Sequence, residues 1–284
     1  MRKYNLIIVF VLCAFFAQAQ LTLSSPSINF GDVLTTEEKE IAVDVTNENA
    51  YPVKVDQTKL YSDDFSCRVT NTEIGVGATS KIRVTFKPRH NIAYNSELIV
   101  VLDDGAEYRI DIQGDGRYEG TYYSSTFNKS YQDLKDELKS ILAINYRNLG
   151  YTNARDNMYG DIDNQNGNVT CVYTGRVSTF STRSGANANN MNCEHTWPQS
   201  LGSSSEPQRA DIHHLFPTDG GTNSRRGNNP FGIVTNPSWT GGGSKLGSGL
   251  FEPRDEHKGA VARAMLYFAI RYQNYNNFIN SQED

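Results

Sequence analysis

The chain is poor in cysteine, carries no excess of positive charge and has only one long apolar run. That run, residues 6–16, is too short to anchor the chain in a bilayer. Arg2 and Lys3 precede it, and Ala17-Gln18-Ala19 follows as a small-x-small cleavage site before Gln20, so residues 1–19 read as a Sec signal peptide. Leu12 stands where lipidation of Cys13 would need a small residue, which argues against a lipid anchor. No later stretch could span a bilayer, so the expected product is secreted or periplasmic with no membrane partner. A His-Glu-x-x-His motif is also missing, which disfavours a zinc hydrolase of that type.

Lys and Arg number 27 against 32 Asp and Glu. Losing Arg2 and Lys3 with the leader leaves 25 against 32, a net charge of −7. Residues 21–116 hold 9 basic and 16 acidic side chains, whereas 117–284 hold 16 of each. The acidic surplus therefore sits in the front part. A polyanion responds to local potential, so the absence of a basic patch excludes tight sequence-independent binding and leaves transient capture open.

Three cysteines remain after processing: Cys67, Cys171 and Cys193. An oxidising compartment permits a bridge, and one between Cys171 and Cys193 would contribute on the order of 3 kcal/mol in the chain-entropy model. The alternative is three buried free thiols.

Residues 20–116 read as an all-β sandwich. Apolar and polar residues alternate through Ile41-Ala42-Val43-Asp44-Val45, Lys81-Ile82-Arg83-Val84-Thr85-Phe86 and Tyr108-Arg109-Ile110-Asp111-Ile112, and Leu98-Ile99-Val100-Val101-Leu102 is continuously apolar. Asn47-Glu48-Asn49, Gly75-Val76-Gly77, Asp103-Asp104-Gly105 and Gly114-Asp115-Gly116 punctuate them, and 114–121 reads as the linker. A second domain, 117–284, should open on a helix capped by Ser130, with Leu134, Leu138, Ile141 and Leu142 at helical spacing. Near its end Pro253, Asp255 and Glu256 mark another helix start, and Val261, Met265, Phe268 and Tyr272 form an apolar stripe.

The chemistry concentrates between these helices, in Asn192-Cys193-Glu194-His195-Thr196-Trp197-Pro198-Gln199-Ser200, Asp211-Ile212-His213-His214-Leu215-Phe216-Pro217 and Asn223-Ser224-Arg225-Arg226. A phosphodiester repels hydroxide, and its leaving oxyanion needs stabilisation. A hard cation such as Mg²⁺ on oxygen ligands answers both needs, and a neutral imidazole can take the proton of the attacking water. Glu194 and His195 are neighbours, so a regular strand would send them to opposite faces, and the pair can cooperate only where the strand ends, as Pro198 suggests. Residues 211–217 read as a second strand turning into a short helix, with one of the two histidines a core imidazole, and Asp219 reads as a helix cap.

The order Glu-His-x-Trp-Pro-Gln-Ser, Asp-x-His-His-Leu-Phe-Pro, Asn-x-x-Arg, Asn-x-Pro-Phe-Gly resembles the endonuclease I family of secreted, non-specific His-Me finger (ββα-metal) nucleases. The resemblance implies an α+β nuclease domain with a ββα-metal core. It further implies Glu194 and Asn223 as metal ligands, His195 as general base, Arg226 as a phosphate-binding guanidinium, and DNA, with RNA as an alternative, as substrate. It also implies more helix after Tyr272 than the polar residues 273–284 supply, so a shortened member is expected. Ser27-Ile28-Asn29-Phe30-Gly31-Asp32-Val33 and Val84-Thr85-Phe86-Lys87-Pro88 resemble hydin-type Ig-like modules, which implies a spacer or partner-docking role for the front domain. The competing class is a secreted binding or adhesion protein whose nuclease-like domain is inactive.

Overall fold

The structure, a computed structural model, describes residues 20–273, so the expected signal peptide and the residues after 273 lie outside the described residues. The chain divides into two compact units, Met1–Lys129 and Ser130–Asp284. Among the described residues no helix is long and apolar enough to cross a membrane.

Nine strands build the first unit: β1 (Leu21–Leu23), β2 (Ser27–Leu34), β3 (Lys39–Asn47), β4 (Val53–Leu60), β5 (Phe65–Val69), β6 (Glu73–Ile74), β7 (Thr79–Phe86), β8 (Ala93–Leu102) and β9 (Glu107–Arg117). They form two sheets, ordered β1-β3-β7-β5 and β2-β9-β8-β4-β6, with β2 parallel to β9 and the other pairs antiparallel. Period-two alternation turns Ser80, Ile82, Val84 and Phe86 of β7 inward. There they share one core with Ile28, Phe30, Leu98, Val100 and Ile110 of the other sheet. Phe65 stacks on Phe86 at 4.7 Å and Tyr94 meets Phe86 edge-on at 5.2 Å, geometries that contribute about 0.5–1.5 kcal/mol per pair beyond burial. The expected all-β sandwich is present.

Its end differs from expectation. Gly114 and Gly116 belong to β9 and not to a linker. Their small size serves close packing: a Cβ on Gly114 would meet the Phe86 ring at 2.7 Å, and one on Gly116 would meet the His90 carbonyl at 2.2 Å. The following residues fold back onto the same unit, where Asn91 Nδ2 donates to Thr126 Oγ1 at 3.0 Å and the Arg117 guanidinium lies 3.5 Å from the Phe127 ring centre.

The second unit is mixed α/β. It opens with α1 (Tyr131–Ala143) and α2 (Gly150–Asn157), then β10 (Asn164–Gln165), β11 (Asn168–Thr170), β12 (Val177–Thr179) and α3 (Arg183–Ala188). β13 (Met191–His195), β14 (Leu215–Asp219) and α4 (Gly220–Arg226) come next, followed by β15 (Trp239–Gly241), β16 (Ser244–Gly247), β17 (Leu250–Glu252) and α5 (Asp255–Tyr272). β13 and β14 pair antiparallel, with Glu194 opposite Phe216 and His195 opposite Leu215, and α4 follows β14 directly. The two expected helices are α1 and α5. In α5 the stripe residues Val261, Met265 and Phe268 are buried, and Phe268 stacks on Trp197 at 4.7 Å. Residues Ile212–His214, read above as strand, form a 3₁₀ turn. Asp211 dictates it: its carboxylate accepts from the His213 backbone N–H at 3.1 Å, a local bond that competes with strand pairing.

Candidate active site

β13 ends at His195, and all of its residues except Asn192 are buried. Glu194 and His195 therefore enter different surroundings. The Glu194 carboxylate is 1% exposed, its Oε1 accepts from the Tyr173 hydroxyl at 2.9 Å, and Arg226 Nε lies 3.4 Å from the same oxygen. Oε2 accepts no hydrogen bond from the described residues. Burial raises the Glu194 pKa, while the Arg226 charge and the Tyr173 hydrogen bond oppose that rise.

His195 is held by both ring nitrogens. Nε2 is 3.1 Å from the Arg209 carbonyl, which can only accept, so Nε2 carries the proton. Nδ1 is then the basic nitrogen, and Gln199 Nε2 donates to it at 3.2 Å. The Tyr151 and His214 rings lie 5.4 and 5.5 Å away. Burial first, then the neighbouring His214, pushes the His195 pKa down to about 3 against the hydrogen bond to the Arg209 carbonyl, so the ring is neutral at ordinary pH.

Asn223 lies on α4 and reaches back to β13. Its Nδ2 donates to Asn192 Oδ1 at 2.7 Å and to the Cys193 carbonyl at 3.3 Å. Two acceptors facing the amide nitrogen fix the orientation and turn Oδ1 away from them.

Arg226 departs from expectation. It is 1% exposed, and its guanidinium donates to the carbonyls of Thr196 at 2.7 Å, Gly227 at 3.0 Å and His195 at 3.4 Å. The guanidinium carbon sits 4.5 Å from the Phe231 ring centre. A group this enclosed and this committed offers no face to a substrate phosphate, and its charge serves Glu194 instead. The site around Glu194 is consequently neutral by formal count.

The disulfide is not formed: Cys171 and Cys193 are free thiols, as is Cys67. Cys193 pairs across to Pro217 on one side of β14, while Val172, next to Cys171, donates its N–H to the Pro217 carbonyl at 3.0 Å from the other side. Cys193 and the chain next to Cys171 therefore flank β14 from opposite sides. Cys171 Sγ instead accepts from the Asp219 and Thr174 N–H groups at 3.1 and 3.4 Å, and burial pushes the Cys193 thiol up to about 12. Asp219 occupies the cap position of α4 without a side-chain cap bond, its carboxylate taken by Thr174 and Arg176. His214 is the core imidazole, fully buried, with Nε2 donating to the Gln208 carbonyl at 2.7 Å.

Several residues escaped the sequence reading. Tyr173 ends a strand-like stretch, residues 169–173, whose apolar pattern carries no sign of chemistry. Asp211 accepts from the Tyr267 and Tyr272 hydroxyls at 2.8 and 2.7 Å and from His213 Nδ1 at 2.8 Å. It thereby ties α5 to the turn that follows Arg209. Burial alone would raise its pKa, but those bonds hold the carboxyl below its ordinary value. Gln199 and Asp211 did leave a signal, since both fall inside the motifs quoted above, but neither had a role that the sequence assigned.

A buried acid and a neutral, tautomer-locked imidazole at the end of one strand, followed by a second strand and a short helix, define a hydrolase-like constellation. The chain belongs to the endonuclease I family, whose model matches residues 130–282. Residues 19–115 match an Ig-like domain of the HYDIN/CFA65/VesB-like type. Extracellular ribonucleases of Bacillus amyloliquefaciens and of Bacillus subtilis (strain 168) are each 35% identical over 158 residues, 54% of this chain and 54% of the relative. The chain thus spans about half the length of the curated relatives it matches. A protein of unknown function from Porphyromonas gingivalis W83 superposes with a TM-score of 0.32 at 16% identity, covering 34% of this chain and 46% of that one.

Proposed function

We propose that the second unit is a metal-assisted endonuclease that hydrolyses phosphodiester bonds of RNA or DNA with little sequence preference. Its β13-β14-α4 arrangement is then a His-Me finger, and the chain is exported by its leader. The extracellular relatives support secretion and RNA as a substrate. The observation that carries the reading is the imidazole: the Arg209 carbonyl locks the proton on Nε2 and leaves Nδ1 as the proton-accepting nitrogen.

Among the described residues no three His, Cys, Asp or Glu side chains gather as a metal site. Glu194 Oε2 and Asn223 Oδ1 are nevertheless oxygen donors not spent on hydrogen bonds to the described residues, a set that fits a hard divalent cation such as Mg²⁺. When bound there, such a cation would neutralise phosphate charge and stabilise the leaving oxyanion. Because Arg226 already balances Glu194, the two ligands hold a cation weakly until a phosphate adds its own charge. Gln199 marks where a donor approaches Nδ1. A water in that place loses its proton to Nδ1, its oxygen bonds to phosphorus, and the P–O bond to the leaving oxygen breaks. The proton on Nδ1 is then available to that leaving oxygen.

Incubating the purified protein with plasmid or RNA, with Mg²⁺ and with EDTA, tests this reading. His195→Ala should lower the cleavage rate by about 10²–10⁴. Asn223→Ala should raise the Mg²⁺ concentration required. Cleavage that survives chelation, or a His195→Ala variant near wild-type rate, would sink the proposal.

A further inference from the structure

We propose that Arg155 and Arg209, both stacked on Tyr151 beside His195, form a subsite for a backbone phosphate flanking the bond to be cleaved. The assignment rests on the nuclease reading above and supplies the phosphate contact that buried Arg226 does not.

The Arg155 and Arg209 guanidinium carbons lie 4.1 and 4.3 Å from the Tyr151 ring centre, and that ring lies 5.4 Å from the His195 ring. Two cations on one aromatic ring repel each other, so their coexistence calls for a compensating anion. Neither guanidinium has a carboxylate within ion-pair distance among the described residues, the nearby Glu206 carboxylate being taken up by the Tyr151 N–H. Three arginines of this unit are paired, Arg176 with Asp219, Arg183 with Asp156 and Arg254 with Glu256. Asp156, next to Arg155 in sequence, is thus already engaged. Arg209 Nε is moreover a buried donor without a partner, the kind of group that is satisfied by something the fold does not contain.

The platform is fixed. Glu206 Oε1 accepts from the Tyr151 N–H at 3.0 Å at the start of α2, and Arg209 is pinned through its own carbonyl to His195 Nε2. Stacking uses the flat face of a guanidinium and leaves its edge N–H groups for a bidentate contact with phosphate. The Arg209 main chain lies at the Nε2 edge of the imidazole, whereas proton transfer uses Nδ1. That separation assigns the stack to a neighbouring phosphate and not to the one attacked. Protein phosphate contacts that carry no base readout suit a nuclease indifferent to sequence.

The test is binding of a fluorescein-labelled single-stranded oligonucleotide in EDTA, followed by anisotropy across NaCl concentrations. Arg155→Ala and Arg209→Ala should each weaken binding about tenfold. Each should also flatten the slope of log K against log salt by about 0.7, as expected for one lost phosphate contact on a single strand. Arg209→Lys should keep the slope. Far-UV circular dichroism shows whether each variant is folded. Wild-type slopes in both folded alanine variants would overturn the subsite. So would an equal flattening by Arg263→Ala on α5, which would mean diffuse charge. If the wild-type protein cleaves nothing yet its slope depends on Arg155 and Arg209, the nuclease reading fails while the subsite stands.

Discussion

Arg226→Met separates a structural from a substrate-binding role for this guanidinium. Methionine keeps an apolar stem of similar length against Phe231 and removes the charge facing Glu194, together with the donors onto the Thr196, Gly227 and His195 carbonyls. Removing one partner of a buried ion pair costs about 3–5 kcal/mol, a large share of the ~5–15 kcal/mol that holds a domain folded. For a unit of this size the loss corresponds to a fall in Tm of about 6–20 °C. The stranded carboxylate can relieve part of the cost by taking up a proton, which burial already favours at Glu194. Glu194→Gln in the same chain should therefore recover part of the stability, and the two changes should be strongly non-additive. Thermal melts by circular dichroism in EDTA keep metal binding out of the comparison. A Tm within about 2 °C of wild type, combined with a raised KM for RNA, is what a solvent-facing phosphate clamp would give. That result would refute the internal role assigned to Arg226.

Two further outcomes follow from buried groups. Burial first, with help from Arg254 and Arg263, pushes the His257 pKa down to about 4, and its Nε2 is an orphaned buried nitrogen. Below the ordinary value of about 6.5 the unfolded chain takes up a proton that the folded ring refuses, so stability falls as pH drops from about 6.5 to 4, by on the order of 3 kcal/mol. His257→Phe should shrink the loss of Tm between pH 7 and pH 5; an equal loss in both proteins would refute this. Alkylation in guanidinium without reductant should label Cys67, Cys171 and Cys193 alike, whereas a peptide linking Cys171 to Cys193 would contradict the strand geometry that keeps them apart.

The sandwich could be read in the sequence because its signal is local and repeated. Every second residue of β7 faces the core, and no distant contact is needed to see that. The glycines at 114 and 116 misled because glycine answers two demands, positive φ in a turn and close approach in a sheet, and only packing against Phe86 and the His90 carbonyl tells which applies. Residues 211–214 misled for a related reason. A side chain that bonds its own backbone two residues on leaves no trace in apolar periodicity.

For the site, position was readable and role was not. Glu194, His195, Asn223 and Arg226 fall in one ordered motif within about three dozen residues, and the fold gathers them around the end of β13 and along α4. Whether a guanidinium faces water or a carboxylate is decided by burial, to which Tyr173, Phe231 and the strand-end carbonyls all contribute from scattered places in the chain. Tyr151 and Arg155 enter from a helix some forty residues before His195, whose polar sequence carries no signal of its neighbours. Burying Arg226 cancels the charge of Glu194 and leaves any cation weakly held, and it withdraws one positive group from the substrate. The arginines on Tyr151 place positive potential next to the imidazole. On the proposed function, an incoming strand would meet positive charge on the Tyr151 side and would bring, with its own phosphate, the negative charge that Glu194 and Asn223 lack for holding a cation. Substrate and cation should therefore bind cooperatively on that proposal, so a protein with an acidic surplus and no basic patch would engage a polyanion chiefly while acting on it.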